Sequence, residues 1–254
     1  MRMPLREYSS PEEIRQPFVY VRAPPRDDQD ISILHEAIEK IYGIIEPTSR
    51  RFGKFIVQSE RWIGDEFISV LAESRHHDCA VLYTDDYYAF YMNEEQREKL
   101  LQKKLVAPEG YKFAGVKIES ELDMIHGAWE YNENTPSVAT RARLEQLPYA
   151  SLRTKDDEML VAWELSHRFG MLTQLYTIEE HRGKGLGVVV EQKLAQDYVA
   201  QGLHVYKFVS QGNTALVDGT MKHPLWTCWT RPKEIDPVRW SFTILSHRAK
   251  PTDY

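Results

Sequence analysis

Residues Arg182-Gly183-Lys184-Gly185-Leu186-Gly187 (RGKGLG) stand between an apolar run suited to a strand, Met171 to Ile178, and a stretch of helical periodicity, Gly187 to Gln201. Backbone N–H groups in a strand–turn–helix connection of this kind converge on one point, and the helix N-terminus adds partial positive charge. The glycines let the main chain approach an anion, and Arg182 and Lys184 add full charges beside it. The stretch reads as a cradle for a pyrophosphate.

Outward from the cradle, Leu186, Val190 and Leu194 fall at four-residue spacing on the buried face of the helix, and Gly202 follows as its C-terminal stop. Upstream come two further strands, Tyr149 to Arg153 and Met159 to Ser166. They are joined by the polar turn Thr154 to Asp157, and Arg168 to Gly170 leads into the cradle strand. Before these, Leu122 to Tyr131 is a helix, and Thr135-Pro136 opens another that stops before Pro148. Downstream, Leu203 to Ser210 is a strand, Asn213 to Lys222 a short helix and Trp240 to Leu245 a last strand. Asn213 caps its helix as a minimum role.

The N-terminal half is plainer. Ser10-Pro11-Glu12-Glu13 reads as a helix start, Arg22 to Asp30 as a loop, and Ile31 to Ile45 as a helix ending near Pro47. Phe55 to Val57 suggests a strand, and Cys79 to Thr84 with Tyr87 to Tyr91 suggest a hairpin turning at Asp85-Asp86. Asn93 with Gln96 forms a capping box for a helix to about Leu105. His76-His77 and Cys79 lack a second ligand cluster, so a surface loop is expected there and no metal.

The spacing G-x-G-x-G differs from the G-x-G-x-x-G of dinucleotide-binding folds, and Val188 stands where a P-loop needs its Lys-Ser/Thr pair. Arg-x-x-Gly-x-Gly after a strand instead resembles the acyl-CoA-binding loop of the GNAT superfamily of N-acetyltransferases. Leu122-Asp123-Met124-Ile125-His126 with Trp129 and Asn132, Gln146-Leu147-Pro148, Val161 to Leu165, and Gly170 through Thr177 to Gly185 resemble the glycine N-acyltransferase family in the same order. The likeness runs from about Glu119 to Trp229. It implies an α/β GNAT fold, a mixed central sheet flanked by helices. Two tandem GNAT-like halves are expected: residues 1–118, and a catalytic half over 119–254 that carries the loop.

The same resemblance implies a co-substrate, acyl-CoA or acetyl-CoA. Leu175, Tyr176 and Thr177 would pair with its pantetheine arm as an added strand. Arg182, Gly183, Lys184, Gly185, Leu186 and Gly187 would hold its phosphates, and Asn213 would bond its arm. An amine would attack the thioester directly, with backbone N–H groups stabilising the oxyanion and a base removing a proton. The family's glutamate is expected just after Gly170, where this chain has Met171, and a tyrosine is expected near Thr220. A thioether takes no proton. Glu164, His167 and Tyr176 are the substitute catalytic candidates.

Composition sets the outer bounds. A formal charge of −6 argues against nucleic acid as main partner, and no apolar run approaches the roughly 20 residues of a membrane span. The two cysteines, far apart, fit a reducing compartment, and the acidic residues Glu7, Glu12 and Glu13 interrupt an otherwise Arg-bearing N-terminus. A cytoplasmic location is expected, with a mitochondrial one as the alternative. Three functions fit: transfer from acyl-CoA to a small amine or amino acid, acetyl transfer to a protein or peptide amine, and CoA binding without turnover.

Overall fold

The computed structural model describes residues 18–21, 31–73, 79–130, 132 and 136–247. The helix start at Ser10, the loop at Arg22 to Asp30 and the His76-His77 pair lie outside them. The chain divides into two compact units: residues through Asp86 together with those from Arg239 on, and Tyr87–Val238. Their bounds differ from a division at 118/119, because the last strand returns to pair with an N-terminal one.

In the first unit, β1 (Phe18–Val21) runs parallel to β2 (Lys54–Glu60), which pairs antiparallel with β10 (Arg239–His247). Helices α1 (Ile31–Phe52) and α2 (Arg61–Glu73) flank these strands, and Ile38, Tyr42, Phe55, Phe67 and Leu245 form their core. Helix α1 continues through Pro47 instead of stopping there. The turn beyond the proline is held by Ser49, fully buried, whose Oγ lies 2.7 Å from His247 Nε2. Tertiary contact here overrides a local stop signal.

The expected hairpin at Asp85-Asp86 is one unbroken strand, β3 (Cys79–Tyr91). Asp86 takes no part in a turn: its Oδ1 accepts a 2.6 Å hydrogen bond from Arg61 Nη1. A charge that reads as a turn residue is thus held by a cation 25 positions earlier.

The second unit holds the end of β3, then α3 (Glu94–Gln102), β4 (Tyr111–Phe113), α4 (Ile118–Gly127), α5 (Ser137–Gln146), β5 (Tyr149–Thr154), β6 (Leu160–Ser166), β7 (Leu172–Thr177), α6 (Leu186–Ala200), β8 (Tyr206–Ser210), α7 (Thr214–Lys222) and β9 (Thr227–Cys228). Its strands run in the order β3-β8-β7-β6-β5-β4, with β9 on β3. All neighbours are antiparallel except β7 and β8, so the sheet is mixed. The Asn93 capping box forms as expected, and α3 ends at Gln102.

Helices cover both faces. Ile125 of α4 and Leu144 of α5 pack with Leu160, Trp163 and Leu165 on one. Leu186, Val190 and Leu194 of α6 pack with Leu152, Ala162 and Leu172 on the other. Arg153, buried in β5, ties α4 to the sheet through Glu121, whose Oε2 accepts from Nη2 at 2.5 Å. No helix among the described residues is long and apolar enough to cross a membrane.

Candidate functional site

Strand β7 organises the site. Its pairing with β6 runs Trp163↔Tyr176 and then Leu165↔Thr173, so β7 carries one extra residue opposite Glu164. The kink centres on Gln174, whose φ of 57° is left-handed and costly for a side chain bearing Cβ. Both polar atoms of the Gln174 amide are buried without a hydrogen-bond partner. A bulge of this kind interrupts the ladder and leaves backbone groups unpaired. On its other edge β7 meets β8 in parallel at Leu172↔Lys207 and nowhere later in register. From Thr173 onward that edge is open, and an extended ligand can pair along it.

The cradle sits at the C-terminal end of β7. A single 3₁₀ turn, Glu179–His181, leads into the loop, and Gly183 and Gly185 both have φ near 74°. There a Cβ is disfavoured. Gly187 is set differently: a Cβ would lie 3.6 Å from Thr177 Oγ1, an ordinary contact, which shows how close α6 begins to β7. The first turn of α6 directs its N–H groups, unpaired within the helix, at the loop.

The loop's cations are placed by neighbours. Arg182 Nε donates to Thr177 O at 3.1 Å, and its guanidinium lies 5.6 Å from the centre of the Tyr176 ring. Lys184 Nζ donates to Glu180 O at 3.2 Å and to Tyr111 Oη at 3.3 Å. His181 Nδ1 lies 2.9 Å from the same hydroxyl. Tyr111, on a strand that the sequence reading left out, therefore fixes two residues of the loop. Arg182, Gly183, Lys184 and Gly185 are exposed, whereas Leu186 is buried under them. Asn213 Oδ1 caps α7 by accepting from Leu216 N at 3.1 Å.

The catalytic candidates are not brought together. Glu164 faces α6 and is buried, while Trp163 beside it is buried on the opposite face. Tyr176 shares the face of Trp163, stacked on it at 5.0 Å. His167 lies half-buried in the turn before β7, where its N–H donates to Met171 O at 2.8 Å.

Around Glu164 lies a polar cluster. Lys207 of β8 makes two hydrogen bonds to Glu191 of α6, and Trp226 Nε1 donates to Glu191 Oε2 at 2.9 Å. Lys207 Nζ is also 4.3 Å from the centre of the Trp226 ring. Glu164 Oε2 is buried without a hydrogen-bond partner. Burial raises its carboxyl well above the usual carboxylate range, the nearby Glu191 charge adds to this, and Lys207 opposes it.

Burial pushes His167 well below the ordinary imidazole range, and the charges of Arg143 and Arg168 push it further, so it is neutral at pH 7. The sequence reading singled out neither Glu191, Lys207 nor Arg143. A charged residue beside the apolar stripe of α6 and another inside an apolar strand were the available signals for the first two.

Residues 150–217, which span β5 through the start of α7, match the family model described as FR47-like protein. No curated protein matches the chain. An X-ray structure of a Drosophila protein is similar with a TM-score of 0.58 at 13% identity, over 74% of this chain and 60% of that one. A putative acetyltransferase from the GNAT family of Novosphingobium aromaticivorans is similar with a TM-score of 0.51 at 12% identity, over 77% of this chain and 75% of that one. The fold is the GNAT fold. Within it, β7 and β8 are the strands that part, and the glycine loop follows β7 as in the expectation drawn from Arg182 to Gly187.

Proposed function

We propose that the chain is an acyl-CoA-dependent N-acyltransferase that moves an acyl group to the amine of a small acceptor, glycine or another amino acid. The observation that carries this reading is the single pairing point of β7 and β8, with the bulge at one end of the open edge and the cationic loop at the other. Leu172 to Thr177 is five strand steps, roughly 16 Å, the span over which an extended arm can pair.

On this reading acetyl-CoA or another acyl-CoA is the co-substrate. Its phosphates lie on the amides of Gly183 to Gly187 beside Arg182 and Lys184, and its arm pairs with Leu175 to Thr177. The thioester then reaches the bulge, where unpaired backbone N–H groups face the developing oxyanion. The amine's lone pair attacks the thioester carbonyl carbon, the C–S bond breaks, and CoA leaves as thiolate, which its pKa near 8.5 permits. Of the three candidates, Glu164 is assigned as the proton acceptor. It lies directly across from the bulge, and its Oε2 has no other bond to make. Histidine 167 is a weak base in its surroundings, and Tyr176 is held between Trp163 and Arg182.

The test is thiol release from acetyl-, butyryl-, benzoyl- and phenylacetyl-CoA with each amino acid in turn. Release that depends on the amine and is lost in Arg182→Ala supports transfer. Binding of acyl-CoA without release from any pair leaves a CoA-binding protein, and neither binding nor release overturns the reading.

A further inference from the structure

Three buried charged side chains gather beside the bulge, and the transfer reading uses only one of them. Glu164 of β6 and Lys207 of β8 project toward α6 from the two strands that flank β7. Register sets their levels: Leu172 of β7 pairs with Ser166 on one side and with Lys207 on the other, so Lys207 stands where β7 and β8 part. Glu191 of α6 supplies the third charge. Glu164, Glu191 and Lys207 are 2%, 7% and 6% exposed.

Two carboxyl groups share one ammonium. Lys207 Nζ donates to both oxygens of Glu191, at 2.9 Å to Oε2, and Trp226 Nε1 donates to the same Oε2 at 2.9 Å. The Trp226 ring covers the ammonium with its centre 4.3 Å from Nζ. Glu191 thus accepts three hydrogen bonds, while Glu164 Oε2, buried beside them, accepts none.

An ion pair of this kind gains little over well-packed apolar side chains, because desolvation offsets the attraction. Its effect on a third group is larger, since charges away from water act strongly on their neighbours. Burial raises the Glu164 carboxyl, the Glu191 charge adds to the rise, and Lys207 opposes it. Tyr198 of α6 stands close by: burial raises its hydroxyl, a hydrogen bond to Ser166 opposes that, and the Glu164 charge adds to it. On the other edge of β6, Ala150 of β5 pairs with Glu164 and brings no charge, and neither does Gln174 at the bulge. His223, just past α7, feels the same pair: burial lowers it, the Glu191 charge opposes this, and Lys207 and Lys103 add to the fall.

We propose that Lys207 and Glu191 are positioning residues for proton transfer: the ammonium is the counter-charge on which Glu164 becomes the carboxylate that takes the amine's proton, and Glu191 competes for that ammonium. This rests on the assignment of Glu164 in the acyl-transfer reading. The proton passes from the amine nitrogen to Glu164, and the acid so formed gives it up to water before the next acceptor arrives. Lys207 and Glu191 act through Glu164 and need not touch the reacting atoms.

The test is the pH profile of kcat, with the acyl-CoA and amine that turn over fastest. Glu191→Gln keeps an acceptor for Lys207 and Trp226 and removes the competing charge, so the midpoint of the rising limb should fall by roughly one pH unit. Lys207→Met removes the counter-charge and should raise that midpoint by roughly as much. Lys207→Arg keeps the charge and should stay near the native midpoint. Opposite shifts in Glu191→Gln and Lys207→Met are what a purely structural pair does not produce. Variants that lose turnover equally at every pH, with the midpoint unmoved, overturn the proposal.

Urea unfolding reads the same coupling without turnover. The stability gap between a chain and its Glu164→Gln counterpart changes as pH rises from about 4.5 and levels off once Glu164 has ionised. It should level off at lower pH in Glu191→Gln than in the native chain, and this isosteric variant decides the matter if Lys207→Met does not fold. If no acyl-CoA is consumed with any amine, the transfer reading falls and the gap still decides whether the pair governs Glu164. A gap that is flat with pH in the native chain, or that levels off at the same pH in both, overturns the proposal.

Discussion

The two ends of β7 handle charge in opposite ways. At the C-terminal end Arg182 and Lys184 are exposed and lean on backbone carbonyls, and the binding surface is main chain shaped by Gly183 and Gly185. At the N-terminal end the charged groups Glu164, Glu191, Lys207 and Arg143 are buried or half-buried, and the surface is built from side chains that other elements bring in. On the acyl-transfer reading proposed above, the exposed end holds phosphates in water and releases them. The buried end holds the Glu164 carboxyl well above the ordinary carboxylate range, as a proton-transfer group there would need.

This contrast is broken most severely at Glu164. Glu164→Gln keeps the shape and removes the proposed proton acceptor, so kcat should fall roughly 10²- to 10⁴-fold while acyl-CoA affinity holds. Unchanged turnover would remove Glu164 from the mechanism. In the native chain, turnover should rise with pH as the raised carboxyl ionises.

Stability carries a second signature of the same group. The folded chain holds a proton on Glu164 that the unfolded chain releases at the ordinary carboxylate pKa. The folded state binds more protons, so this group's contribution to stability falls as pH rises from about 4.5 toward the raised value. Glu164→Gln abolishes that slope and should gain on the native chain progressively as pH rises above about 4.5, read from urea midpoints at each pH.

Next in size is the ion pair beneath it. Glu191→Ala leaves Lys207 buried without its partner and removes the acceptor of Trp226 Nε1, so it should lose about 3 kcal/mol of unfolding free energy in urea. The exposed end should respond more mildly. Arg182→Ala should weaken acyl-CoA binding about tenfold at low salt and less at high salt, because a solvent-facing charge is screened. Calorimetric titration at two ionic strengths reads both. The smallest effect is expected at Gln174→Gly, which relieves the left-handed backbone and the unpaired amide and should add about 1 kcal/mol of stability.

The same contrast explains what could be read from sequence. The loop is local: strand, glycines at positive φ and a helix with Leu186, Val190 and Leu194 on its buried face all lie within a few residues. The Asn93–Gln96 capping box is local too, and both were legible. The N-terminal end of β7 depends on register. Whether Glu164 or Trp163 faced α6 could not be read from alternation alone, and Glu191 and Lys207 meet only because α6 packs against β8. Gln174 gave no sign of its bulge, since a left-handed turn there calls for glycine. The strand through Asp85-Asp86 and the helix through Pro47 were misread for a related reason, because Arg61 and His247 act on them from far along the chain.

The most direct test of the central claim is amide hydrogen exchange with and without acetyl-CoA, resolved along β7 and the loop. Slowed exchange at Gly183 to Val188 together with Leu175 to Thr177 is the expected result, with the phosphates at one end and the arm along the open edge. Slowing in the loop without β7, or in neither, would contradict the placement of an acyl-CoA along this strand.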